Sequence, residues 1–241
     1  MQKAELGQNR TGVQMSPKDT KKMLEPAQGA KLTPGDSGRA EQLRAEYISN
    51  AGPVGSVPMP GTASGMAKAG TKALTGKRAQ AFVDRLGERL AFERSGTRLY
   101  EAMLVKCRAS GAEGQQYVAR LEEICADEAE HFKLLSECME TLGCDPTAQT
   151  PAADVAGVES AGLMQVVTDP MTSVVQSMHS MLVAELVDNE AWDDLIGLAE
   201  EVGQKDMVEK FQGARDEERE HLSTLRQWYQ QATMQEARLL S

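Results

Sequence analysis

Four long stretches between residues 79 and 234 carry apolar residues at helical spacing, and in each a carboxylate breaks the apolar stripe near its middle. Residues 79–109 run Phe82, Leu86 and Leu90, then Glu93, then Leu104 and Cys107. Residues 113–142 run Val118, Leu121 and Ile124, then Glu128 and His131, then Leu135 and Cys138. Residues 172–202 run Val175, Met178 and Leu182, then Glu185 and Asp188, then Trp192 and Leu195. Residues 205–234 run Val208, Phe211 and Ala214, then Glu218 and His221, then Leu225 and Trp228. Positions three and four apart share one helix face, so each stripe turns toward a common interior. A carboxylate buried without a partner costs several kcal/mol, and four converging on one core repel each other as well. The pattern is consistent with folding only if cations sit among them.

The spacing sharpens this. Glu128-Ala129-Glu130-His131 and Glu218-Arg219-Glu220-His221 are both Glu-x-x-His, which places carboxylate and imidazole on one helix face. Glu93 precedes Glu128 by 35 residues and Glu185 precedes Glu218 by 33, so the chain states one pattern twice. Bundles that hold two metal ions between facing helices take one Glu from each of two helices and a Glu-x-x-His from each of the other two. The expected ligands are therefore Glu93, Glu128, His131, Glu185, Glu218 and His221. Carboxylates with one imidazole per metal suit iron or manganese, whereas zinc sites of the structural kind are rich in thiolate. Two iron ions are expected, with manganese as the alternative.

Ser110-Gly111, Gly143 and Gly203 punctuate the stripes, and about 28 residues containing Pro146, Pro151 and Pro170 separate the second from the third. Short turns make antiparallel neighbours, and the long connection can climb the height of the molecule. The expected architecture is all-α: a four-helix bundle with one long crossover over residues 77–241. Aromatic residues make up only 4% of the chain, in keeping with helix over sheet. Residues 1–76 read as a flexible, largely irregular Gly/Pro-rich tail with a short helix near residues 40–48. That tail is either an arm that docks a protein partner or a plain linker.

Residues 1–78 hold 12 Lys+Arg against 6 Asp+Glu, and the remainder 14 against 30. The acidic body argues against nucleic acid as a partner and is compatible with drawing cations. Cys107, Cys125, Cys138 and Cys144 form no Cys-x-x-Cys pair and read as buried reduced thiols. No apolar run approaches the roughly 20 residues of a membrane span, and the N-terminus lacks the build of a signal peptide, so a cytoplasmic chain without a membrane partner is expected.

The helical region resembles the ferritin-like superfamily, particularly its rubrerythrin-like branch. The resemblance rests on the two Glu-x-x-His motifs, on Glu93 with Tyr100 seven residues later, and on Glu185 with Asp188. It implies a ferritin-like bundle with Tyr100 at the centre, as hydrogen-bond donor to a ligating carboxylate or as an electron relay; the plain alternative is a core tyrosine. It makes Asp188 a further carboxylate of the site, ligating metal or standing behind the ligands. The missing cysteine pairs mean that a peroxidase of this type takes electrons from an external donor. Three functions follow: a di-iron oxidase or peroxidase acting on Fe(II) and peroxide or dioxygen, with manganese catalase as a variant; an iron storage or delivery protein; and a non-enzymatic scaffold stapled by metal. A homo-oligomer is compatible with all three.

Overall fold

A computed structural model of the chain describes residues 17–29, 38–58 and 77–239. Among these the structure is helical throughout, without a strand: α1 (Pro17–Gly29), α2 (Gly38–Asn50), α3 (Lys77–Ala109), α4 (Ala112–Thr141), α5 (Pro151–Thr168), α6 (Val174–Glu201) and α7 (Lys205–Leu239). No helix among the described residues is long and apolar enough to cross a membrane. The chain divides into two compact units, Met1–Gly52 and Pro53–Ser241.

In the first unit, α2 covers the helix expected near residues 40–48 and buries no side chain; Leu43, Tyr47 and Ile48 are all exposed. Helix α1 admits Pro26 within its last turn. Residues 1–16, 30–37 and 59–76 of the expected tail lie outside the described residues.

In the second unit, the four expected segments become α3, α4, α6 and α7, each within a few residues of its stripe. Gly143 and Gly203 sit at positive φ, 81° and 75°, just beyond α4 and α6. Each closes its helix the same way: the amide after the glycine donates back to the helix, Cys144 N to Met139 O and Gln204 N to Ala199 O, both at 2.9 Å. Helix α6 starts on a capping box, with Gln176 N donating to Ser173 Oγ and Ser173 N donating to Gln176 Oε1.

The connection between α4 and α6 is itself largely helical. Pro151 and Pro170 bracket α5 instead of breaking it, because Pro151 stands in its first turn behind the Thr150 cap. Thr150 Oγ1 donates to Asp84 O, and Ala152 N donates to Asp84 Oδ1 at 2.9 Å, which fixes the start of α5 near the start of α3. Lys106 Nζ donates to the carbonyls of Asp169 and Thr172 at 2.7 and 2.8 Å, which fixes the start of α6 near the end of α3. So α5 runs alongside α3, and α6 begins at the opposite end from the end of α4, as the crossover reading expects.

Two apolar clusters fill the bundle. One gathers Phe82, Leu86, Leu135, Trp192 and Phe211; the other gathers Tyr100, Leu121, Met178, Met181 and Leu225. Each large side chain so buried is worth roughly 1.5–3 kcal/mol. The polar interruption of every stripe falls between the two clusters. The four cysteines are free thiols, Cys107 and Cys138 buried and the other two half-buried.

Candidate metal centre

Glu93, Glu128, His131, Glu185, Asp188, Glu218 and His221 are each no more than 3% exposed. The fold brings all seven together. Three overlapping sets have ligand atoms within 4.8 Å of one another: Glu128, Glu185, Glu218 and His221; Glu93, His131 and Glu218; and Glu93, Glu128, Asp188 and Glu218. Glu218 lies between the imidazoles, with Oε1 2.6 Å from His131 Nδ1 and Oε2 3.1 Å from His221 Nδ1. The two rings are 6.2 Å apart. Both histidines turn Nδ1 inward.

Their outer nitrogens are held by a crossed pair of carboxylates. His131 Nε2, on α4, is 2.8 Å from Glu217 Oε2 on α7, and His221 Nε2, on α7, is 3.1 Å from Asp127 Oδ2 on α4. Each motif is thus an acidic residue, then Glu-x-x-His, with the acidic residue serving the other helix's imidazole. Such a partner fixes ring orientation and raises ligand basicity. The outward appearance of Glu217 on a helix wheel concealed this; it is 58% exposed yet reaches the ring.

The single carboxylates are held on one oxygen each. Tyr100 Oη donates to Glu185 Oε1, which places the tyrosine at the centre as the resemblance implies. Arg89, fully buried, donates from Nη2 to Glu93 Oε1 at 2.7 Å and to Asp188 Oδ1. Asp188 is therefore paired with a guanidinium on Oδ1 while belonging to one of the three ligand sets. Asn189 Nδ2 ties α6 to α7 by donating to Glu185 O and Glu218 O. Gly96 faces Glu128 so closely that a Cβ there would stand 2.2 Å from Glu128 Oε2. The sequence pattern does not single out Arg89, Asp127, Asn189 or Gly96, and it reads Glu217 only as a solvent-exposed residue.

The electrostatics show the strain of this assembly without cations. Burial pushes the Glu128 and Glu185 carboxyls well above their ordinary range, and the neighbouring carboxylates push the same way. Burial also lifts Glu93, to about 7, against the pull of Arg89. Burial would raise Glu218 too, but the two histidines outweigh it and hold the carboxyl down at about 2. Burial disfavours charge on His131, yet Glu218, Glu93 and Glu217 lift it to about 9. Burial and the Glu185 carboxylate push the Tyr100 hydroxyl well up.

The donor set fits metal ions. Glu93 Oε2, Glu128 Oε2 and Glu185 Oε2 are buried without a hydrogen-bond partner among the described residues, and Glu218 Oε1 and His131 Nδ1 face each other at 2.6 Å. Orphaned buried acceptors of this kind are rare and costly in native proteins. Here they belong to one cluster, and hard divalent cations are what carboxylate oxygens and imidazole nitrogens accept.

A four-helix bundle with one crossover, enclosing carboxylates and two histidines between apolar clusters, defines a protein of the ferritin-like class. The chain belongs to the ferritin-like domain family, whose model matches residues 83–234. No curated protein and no solved structure matched the chain significantly.

Proposed function

We propose that this chain is a di-metal carboxylate protein that holds two iron ions and oxidises Fe(II) or reduces peroxide or dioxygen. One observation supports it above all: the orphaned oxygens of Glu93, Glu128 and Glu185 share a single buried cluster with Glu218, His131 and His221. Glu93, Glu128, His131, Glu185, Glu218 and His221 would hold the ions, His131 acting with Glu93 and Glu218 and His221 with Glu128, Glu185 and Glu218. Manganese fits the same donors. A bound iron pair would supply the two electrons that take peroxide to water or dioxygen to peroxide.

The chain's own residues prepare that chemistry. Asp127 and Glu217 aim the imidazoles. Arg89 and Tyr100 each occupy one oxygen of a terminal carboxylate, so Glu93 and Glu185 offer one oxygen apiece and positions stay open for an oxidant. Tyr100 keeps a proton at Glu185 Oε1. The two apolar clusters exclude bulk water. The closer likeness to the rubrerythrin-like branch belongs to this reading, and so does an external electron donor.

Elemental analysis of protein purified without chelator tests it. About two iron or manganese atoms per chain are expected, and a metal-free chain refutes the reading. Glu128→Ala with Glu218→Ala should abolish binding with helical content intact. Stopped-flow mixing of the Fe(II) protein with peroxide, and separately with dioxygen, then identifies the oxidant.

A further inference from the structure

Among the described residues Arg89 is the arginine built into the centre, and its surroundings are unusual. It is fully buried, and its guanidinium stacks on Phe92 at 4.6 Å and lies 5.7 Å from the Trp192 ring. Nη2 carries the bonds to Glu93 and Asp188, Nη1 lies 3.8 Å from Glu88 Oε1, and Nε has no hydrogen-bond partner. A guanidinium placed only for packing would not be buried with its charge turned to three carboxylates. It sits where its charge acts on the carboxylates. Of the three candidate ligand sets, the one containing Asp188 also contains Glu93, and Arg89 holds both residues.

We propose that Arg89 is a positioning residue that sets the charge capacity of the centre, by standing as a permanent cation in the Glu93–Asp188 corner so that two divalent ions complete neutrality. This rests on the di-metal reading. Five buried carboxylates face the cluster: Glu93, Glu128, Glu185, Asp188 and Glu218. Against Arg89 they leave four negative charges when ionised, and two divalent cations with neutral imidazoles balance four. The guanidinium also occupies Glu93 Oε1 and Asp188 Oδ1, so each of these carboxylates has one oxygen left for an ion.

The test is calorimetric titration of the chelator-treated full chain with Mn(II) at fixed pH, with folding of each variant checked by circular dichroism. Arg89→Gln removes the cation and frees Asp188, so the affinity rises about tenfold, the scale of one buried charge. Asp188→Asn removes a carboxylate and the affinity falls about tenfold. The double variant Arg89→Gln/Asp188→Asn restores the charge balance and returns to within about threefold of wild type, as does Arg89→Lys. A merely structural arginine predicts weaker binding in both single variants, and that result overturns the proposal, as does an Arg89→Lys variant that behaves like Arg89→Gln. If Arg89→Gln fails to fold, Asp188→Asn against the double variant still decides by the direction of the change. A wild-type chain that binds no Mn(II) sinks the di-metal reading itself; a wild type that binds two ions with both single variants weakened sinks only the role of Arg89.

Discussion

Replacing Gly96 by alanine should empty the centre while leaving the bundle folded. The added Cβ would stand 2.2 Å from Glu128 Oε2, and ordinary contact begins at 3.4 Å, so the carboxylate must retreat by about 1.2 Å. Metal–ligand distances hold to about 0.2 Å, so the retreat is several times what a bound ion tolerates. The fold suffers less. Alanine in a helix gains roughly 0.5–1 kcal/mol over glycine, and overpacking costs roughly 1–3 kcal/mol. The net loss is then at most about 2.5 kcal/mol, or a drop in Tm below about 10 °C for a domain of this size. Elemental analysis and Mn(II) calorimetry, set beside thermal melts of chelator-treated protein, separate the two effects. Metal affinity should fall at least tenfold, the scale seen when ligand support is lost. Adding Glu128→Asp withdraws the carboxylate by one bond of about 1.5 Å and should recover part of the loss. A Gly96→Ala protein that binds metal like the wild type would refute the placement of Glu128 as a ligand.

Two further outcomes follow from the centre's geometry. Glu217→Gln and Asp127→Asn should each weaken metal binding about 10- to 100-fold, with small effects on the melting of the metal-free protein, and equal affinity in calorimetry would refute the crossed pairing. In the metal-free protein, Glu93 is raised from 4.5 to about 7 and His131 from 6.5 to about 9, so both bind protons more tightly folded than unfolded. That stability is present below the unfolded values and is lost as pH climbs through about 7 and about 9; the Glu93 share alone is about 3 kcal/mol. Glu218, depressed to about 2, costs stability in the other direction, below pH 4.5. Melting of chelator-treated protein should therefore peak in mildly acid solution and fall toward pH 9, with added metal flattening the fall. A Tm that instead rises steadily from pH 5 to 9 would contradict this.

The bundle and the buried carboxylates and histidines at its centre were readable because these residues sit on the stripe, where period and burial coincide. What was hidden lies off it. Glu217 and Asp127 stand one position before a ligand, on a face that a helix wheel assigns to solvent, and only the meeting of α4 with α7 turns them to a ring. The doubled acids Asp127-Glu128 and Glu217-Glu218 were the available signal. Arg89 is four residues before Glu93, but nothing local announces its second partner, Asp188, 99 residues away. Asp188 is both held by that arginine and within one of the candidate ligand sets. In the third stripe, Leu182 is only half-buried while Met181 is buried, a one-residue slip in a helix that is apolar nearly all round. Helix α5 was missed because its prolines fall at its borders, where they look like loop punctuation.

The crossed pairing of imidazoles and acids makes the two hairpins incomplete halves. A nascent chain that has folded only α3 and α4 owns His131 but lacks Glu217 to orient it, and lacks Glu218 to share an ion with it. Such a fragment holds only part of the buried cluster. On the di-metal reading, loading would wait until the last helix docks, so that finished molecules and not folding intermediates would take up the ions.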